Sequence, residues 1–272
     1  RYLVEKYDIR YLPSLSVGNE LANRKYSDNR KPLLAFGNAV YDVPNAQTQQ
    51  TQSQEQFNEM MKGVETDSKD GVSMKRYYDA LGIAWENLSG TLAELDAISG
   101  LVPNSVCIKG KDVNEQSVKG MSANGQLKGY KILHFATHGI VIPEYQDLSA
   151  LVLSQGLPND DGYLRASEIA KLNLNADFVN LSACETGLGK IYGGEGVVGL
   201  TQSFLLAGAN SIAVSLWKVS DQSTMEFQKE FYRLVFVEKM PISKAINQVK
   251  RTFIKGQYNQ PFYWAPFVYY GM

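Results

Sequence analysis

The chain has 272 residues and a formal net charge of −1, with 44% hydrophobic, 11% aromatic and 20% charged residues. That length can bury one sizeable core or two modest ones, and the near-balanced charge argues against nucleic acid or an anionic membrane surface as an electrostatic partner. No apolar run approaches the roughly 20 residues of a spanning helix, no signal-peptide pattern opens the chain, and two cysteines are too few for a disulfide framework or a zinc-finger spacing.

A reducing, cytoplasmic setting fits this cysteine usage and would keep a catalytic thiol usable. Arg1, not Met, opens the chain, inside what reads as a strand (Tyr2, Leu3, Val4, then Tyr7 and Ile9). The expectation is a piece of a longer protein. Lys31–Gly37 reads as a short buried strand closed by glycine. Residues 45–56, NAQTQQTQSQEQ, hold no aliphatic side chain larger than alanine and read, with 65–70, as a polar surface insertion.

A helix is expected after Thr91, with Glu94 at capping-box spacing, then a strand at Ser105–Ile108 and a short helix opened by Asp112. From there strands (Lys131–Ala136, Ala150–Leu153, Asp177–Leu181, Ser211–Leu216) alternate with helices (Ala166–Leu172, Val197–Leu206, Gln222–Val237, Ile242–Phe253). Phe227, Phe231, Leu234 and Val235 share one face of the third helix. Pro241 suits the first turn of the last helix, and Gly256 its end. Apolar strands separated by helices predict an α/β fold, a mostly parallel sheet flanked by helices on both faces. In such sheets chemistry gathers beyond the carboxyl ends of the strands.

Two strands end there in reactive residues. Lys131–Gly139 closes in Thr-His138-Gly, and Phe178–Gly187 closes in Ala-Cys184-Glu-Thr-Gly. On neighbouring parallel strands this pattern brings an imidazole and a thiol to one edge, with small residues that let a substrate backbone approach. Amides next to Gly139 and Cys184 are candidate oxyanion donors. No third member of a triad is evident in the sequence. His134, mid-strand, falls on the same face as His138 about 13 Å away and reads as structural. The two form His-x-x-x-His, a metal spacing only on a helix, so no metal is expected. Cys107, between Val106 and Ile108, reads as core packing.

Gly194-Glu-Gly196-Val-Val-Gly199, with Asp221 downstream, has dinucleotide-binding spacing. About ten residues separate it from the preceding strand, too far for a phosphate-cradling turn. The expectation is a flexible loop leading into the Val197 helix. A phosphatase-type cysteine is excluded because no Arg follows Cys184 in its loop, and an ester-cleaving α/β hydrolase because Gly-x-Ser-x-Gly is absent.

Taken in order, His134-Phe-Ala-Thr-His138-Gly139, Leu181-Ser-Ala-Cys184-Glu-Thr-Gly187, Gly194–Leu200, Ala207-Gly-Ala209, Ser215-Leu-Trp217-Lys-Val-Ser-Asp221 and Tyr263-Trp264-Ala-Pro-Phe267 resemble the CHAT domain of the caspase–separase group of cysteine peptidases. The likeness is dense from Gly129 to Met272. Before that it is thinner, resting on Tyr11-Leu-Pro-Ser-Leu15 and Leu33-Leu-Ala-Phe-Gly37. It implies a single domain over 1–272, with an N-terminal part (1–128) and a catalytic part (129–272), folded as a caspase-like three-layer sandwich. It further implies peptide-bond hydrolysis by Cys184 and His138 without cofactor or metal. An upstream TPR-type repeat region or regulatory partner is implied too, in bacterial stress or defence systems, including CRISPR-linked and gasdermin-linked ones. The expected partner is a protein substrate, with no direct nucleic acid contact and no membrane. Ser215, Trp217 and Asp221 run beside the expected substrate path, and Asp221 and Asp147 are candidate acids for a pocket favouring Lys or Arg. Asp221 reads first as a helix N-terminal acid interacting with the dipole of Gln222–Val237, ahead of the pocket role. The alternative to an enzyme is a silent CHAT scaffold that binds protein.

Overall fold

The computed structural model describes residues 1–41, 85–142, 146–158, 160–182, 195–217 and 219–272. The polar stretches at 45–56 and 65–70, Cys184 and Gly194 lie outside the described residues.

Along the chain, α1 (Leu15–Asn23) precedes β1 (Lys31–Gly37). Then come α2 (Ser89–Leu101), β2 (Val106–Lys109), α3 (Glu115–Ala123) and β3 (Tyr130–Ala136). Three short strands, β4 (His138–Ile140), β5 (Ala150–Val152) and β6 (Tyr163–Arg165), run into α4 (Ala166–Ile169) and β7 (Phe178–Leu181). After them come α5 (Glu195–Ala207), β8 (Ser211–Ser215), α6 (Asp221–Phe236), α7 (Ile242–Lys255), α8 (Pro261–Trp264) and β9 (Phe267–Gly271).

The main sheet runs β2-β1-β3-β7-β8-β9 among the described residues. It is parallel from β2 to β8, and β9 closes it antiparallel. Strand alternation divides its side chains between two cores. Leu33, Ala35, Ile132, Phe178 and Ala213 pack with Leu95, Phe227, Phe231 and Val249 of α2, α6 and α7. Leu34, Phe36, Leu133, Phe135, Val179 and Val214 pack with Leu21, Val118, Leu200 and Phe204 of α1, α3 and α5 on the other side. A mostly parallel sheet with helices on both faces is therefore the fold, as the alternating apolar runs predict. The face of α6 carrying Phe227, Phe231 and Leu234 is buried as expected.

Several local expectations are corrected. The opening residues form no strand: Leu3–Glu5 is a single 3-10 turn, stabilised where Glu5 Oε2 accepts the Tyr2 N–H at 2.5 Å. Only Val4 of that turn is buried, whereas Leu3 and Tyr7 are exposed. Thr91 does not cap α2, which starts at Ser89. Its hydroxyl instead accepts the Asn38 N–H just after β1 (3.0 Å) and donates to Leu88 O (2.7 Å). Glu94 therefore has no capping work and turns inward. Asp112 ends a 3-10 turn (Gly110–Asp112), and the helix after it is opened by Asn114, whose side chain accepts the Ser117 N–H at 2.7 Å. Ala150–Val152 belongs not to the main sheet but to a small antiparallel one, β4-β5-β6. The helix expected from Val197 starts two residues earlier, so Glu195 and Gly196 are helix rather than loop. Gly199 lets α5 approach the Gln146 turn closely, since a Cβ there would stand 3.1 Å from both Cβ and O of Gln146.

Glu115 links α3 to the β5–β6 hairpin. Its Oε1 accepts the Gly162 N–H (2.9 Å), and Lys119 Nζ sits 2.5 Å from its Oε2. Burial, then the Asp160 and Asp161 carboxylates, pushes its carboxyl up to about 9 against the opposing pull of Lys119. The folded state thus holds this proton more tightly than the unfolded chain. Its contribution to stability is full below the ordinary value of 4.5 and is lost as pH rises to about 9. Glu115→Gln, which has no such proton to lose, is expected to flatten that part of the stability–pH curve, as thermal melts across the range will show.

Candidate active site

The carboxyl ends of β3, β7 and β8 lie side by side. Phe135 pairs with Leu181, Asn180 pairs with Ala213, and the Ser182 N–H extends the ladder by donating to Phe135 O at 2.9 Å. His138 follows β3 by two residues, and Cys184 follows Ser182 by two in the sequence. Cys184 itself lies outside the described residues. The sequence puts His138 on the strand of His134; the structure ends β3 at Ala136, breaks at Thr137, and starts β4 with His138. The shared-face argument for the two histidines therefore does not cross the break, and the two side chains have separate surroundings.

His138 is 2% exposed, and described groups around it hold its ring. Its Nε2 lies 2.7 Å from the Glu86 backbone O. The Tyr41 and Trp85 rings pack on it at centroid distances of 4.8 and 5.1 Å. Both aromatics are themselves tied to the small sheet. Tyr41 Oη accepts the His138 backbone N–H (3.2 Å) and donates to Val152 O (3.1 Å), and Trp85 Nε1 donates to Tyr163 Oη (2.9 Å). A carbonyl can only accept, so the Glu86 contact places a proton on Nε2 and leaves Nδ1 as the basic nitrogen of the neutral ring. An oriented imidazole of fixed tautomer is what a general base needs. Tyr41, Trp85 and Glu86 were not among the residues expected from the sequence; the orienting group is a main-chain carbonyl, which every residue carries.

The other candidate residues divide by position. Gly139 is the second residue of β4, opposite Leu151. Ser215 ends β8 at 2% exposure, and its hydroxyl turns back to donate to Trp217 O at 2.8 Å. Trp217 is half-buried just beyond the same edge, its Nε1 donating to Phe262 O at 3.0 Å. Asp221 is the first residue of α6, after the Ser220 cap, and is exposed. It abuts α2, where a Cβ on Gly90 would stand 2.6 Å from Asp221 Cβ. Asp147 is exposed in the 3-10 turn Gln146–Leu148 between β4 and β5.

His134 is wholly buried, as a structural residue should be. Its Nδ1 lies 3.1 Å from Tyr232 Oη, and its Nε2 lies 3.0 Å from Glu94 Oε1 without the alignment of a hydrogen bond. Cys107 pairs opposite Ala35 and packs against the core only in part, and burial pushes its thiol up, away from the reactive thiolate.

Among solved structures, the complex of the pro- and mature domains of RgpB from Porphyromonas gingivalis is similar at a TM-score of 0.51 and 10% identity, over 92% of this chain and 49% of that one. The Saccharomyces cerevisiae separase–securin complex gives 0.49 and 17%, over 98% of this chain and 14% of that one. The Arg-specific cysteine proteinase gingipain R gives 0.48 and 10%, over 94% and 51%. The chain thus spans only 14% to 51% of the length of these proteins. At such identities the likeness to the RgpB complex speaks to fold alone, the caspase-like α/β sandwich. No curated protein matches the chain. A family model for the CHAT domain matches residues 1–272, the whole of the sequence in which the ordered motifs were found, and the chain belongs to the CHAT domain family.

Proposed function

We propose that this CHAT domain is a cysteine endopeptidase in which Cys184 is the nucleophile and His138 the general base. The observation that carries the reading is the common ending of β3 and β7 in parallel register, with His138 and Cys184 each following within a few residues. In this reading His138 Nδ1 takes the Cys184 proton, and the thiolate adds to the scissile carbonyl. Amides near Gly139 and Cys184 hold the oxyanion. The imidazolium then protonates the leaving amine, and water hydrolyses the thioester. The aromatic cage and the Glu86 carbonyl support the base role because they orient the ring and set its tautomer.

The substrate is a protein segment laid along the exit of β8. Trp217 and Asp221 follow β8 in the chain, Asp147 lies in the turn between β4 and β5, and an acidic pocket formed by either acid would favour Lys or Arg before the scissile bond. Placement of Asp221 in the first turn of α6 also suits an acid at a helix N-terminus, so its part in specificity is the weaker component. Regulation by an upstream repeat or sensor region in a bacterial stress or defence system, in the cytoplasm, completes the proposal and rests on the family resemblance. Among the described residues no helix is long and apolar enough to cross a membrane.

The test is turnover of Arg-, Asp- and Leu-terminated fluorogenic peptides, with a cysteine-directed probe, by the longest natural protein that carries this domain. Cys184→Ala is expected to abolish cleavage and labelling at that position while leaving the melting temperature unchanged. Full activity in the variant would overturn the assignment. A wild type that neither cleaves nor labels, with its activator present, would leave the binding scaffold as the better reading.

A further inference from the structure

The sheet face turned toward α2, α6 and α7 is apolar (Leu33, Ala35, Ile132, Phe178, Ala213) until the carboxyl ends of β3 and β7 are reached. There it carries His134, Asn180 and Ser182, none more than 2% exposed. Their partners come from the helices and are equally buried. Glu94 of α2 accepts the Ser182 hydroxyl at 2.5 Å and lies 3.0 Å from His134 Nε2. Tyr232 of α6 meets His134 Nδ1 at 3.1 Å, and Gln228 accepts from Asn180 Nδ2 at 2.7 Å. Burial drives the Tyr232 phenol far above its ordinary value, so it stays a neutral hydroxyl.

Stability alone does not account for this cluster. Taking a carboxyl and an imidazole out of water is costly, and apolar residues of like volume commonly serve a core as well or better. What the cluster does geometrically is hold Ser182 in two directions. The backbone N–H of Ser182 bonds along the sheet to Phe135 O, and its hydroxyl bonds perpendicular to the sheet, to a carboxyl oxygen on α2. A hydrogen bond to a carboxylate is charge-assisted and stronger than one between neutral groups. Behind it, His134 and Tyr232 back the Glu94 carboxyl from β3 and α6. In the sequence Ser182 stands two positions before Cys184.

We propose that Glu94 is a positioning residue for the cysteine-peptidase reaction: through Ser182 its carboxylate fixes the direction in which the chain leaves β7 toward Cys184. The inference rests on the peptidase reading, but it assigns work to residues that take no part in the chemistry itself. A displacement of the reacting atom by about 1 Å costs on the order of 100-fold in rate. Loss of the Ser182 hydroxyl should therefore appear in kcat rather than in KM.

The test uses Ser182→Ala, Glu94→Gln and Glu94→Leu in the longest natural protein. The readouts are kcat, KM and the rate of Cys184 alkylation by iodoacetamide, mapped by peptide so that Cys107 is counted separately. Ser182→Ala is expected to lower kcat and the alkylation rate together, roughly 10- to 100-fold, with KM little changed and a wild-type-like melting temperature. Glu94→Gln keeps an oxygen that can accept the Ser182 hydroxyl and should retain most of the activity; Glu94→Leu should behave as Ser182→Ala does. If Glu94→Leu does not fold, the contrast between Ser182→Ala and Glu94→Gln decides. Wild-type kcat and alkylation in folded Ser182→Ala would overturn the positioning role while leaving the peptidase reading intact. A wild-type protein without Cys184-dependent turnover would overturn the peptidase reading itself, and the positioning role with it.

Discussion

Replacing His138 by Gln is expected to lower kcat by about 10²–10⁴-fold, the usual worth of a positioned general acid–base, with little loss of stability. Gln is chosen because its amide can still donate to the Glu86 carbonyl that now receives Nε2 at 2.7 Å. The Tyr41 and Trp85 rings would then pack on a side chain of similar reach. What Gln cannot do is take a proton. Two signatures follow. Turnover should fall at every pH, and Cys184 alkylation should move to alkaline pH, toward the ordinary thiol value near 8.5, because no imidazole remains to raise the thiolate fraction. Wild-type turnover in the variant would mean that another group is the base, and the aromatic cage would then be only packing. Loss of activity with an unshifted alkylation profile would mean that His138 acts on the leaving group but not on the thiol.

What the sequence makes legible here follows the range of the forces involved. β1 appears at the expected residues, Lys31–Gly37, and β3, β7 and β8 appear within one residue of expectation at each end. A central parallel strand buried on both faces has to be a continuous apolar run. The side-by-side carboxyl ends of β3 and β7 are legible for the same reason, since parallel strands of similar length end together. The small β4-β5-β6 sheet was not. Its strands span three residues each, too short for a period to register: β5 appears where a strand is expected, but nothing in it foretells antiparallel pairing with β4 and β6 in a separate sheet. Glu94 misled because its spacing from Thr91 imitates a capping box, and the carboxyl is drawn instead to Ser182, 88 positions away. The Glu86 carbonyl left no trace at all, because a backbone acceptor is independent of residue type and its partner is 52 positions distant.

The Ala207-Gly208-Ala209 motif, noted from sequence as part of the family pattern, has a steric explanation that yields the largest stability effect expected in the chain. Gly208 ends α5 at φ +113, and a Cβ there would stand 2.2 Å from Leu174 O. The turn cannot shift to make room, since it is fastened on every side. Leu174 N–H donates to Ala207 O (2.9 Å), Tyr26 Oη to Gly208 O (2.7 Å), Arg24 Nη1 to Leu205 O (2.7 Å) and Asn210 N–H to Ala176 O (2.9 Å). Backbone strain at such a position costs on the order of 1–3 kcal/mol by itself, and the collision with the Leu174 main chain, whose N–H is bonded to Ala207 O, adds to it. Gly208→Ala is therefore expected to destabilise by at least about 3 kcal/mol, measured by chemical denaturation. Gly120 is the contrasting case: it sits within α3, exposed, where a Cβ would meet nothing within 4 Å. Gly120→Ala is expected to stabilise by up to about 1 kcal/mol through helix propensity alone. Opposite signs for the same substitution would tie the motif to the geometry of the α5–β8 turn, which sets where β8 begins and hence where its carboxyl end meets the proposed substrate. A Gly208→Ala protein as stable as the wild type would show that this turn yields more readily than its hydrogen bonds imply.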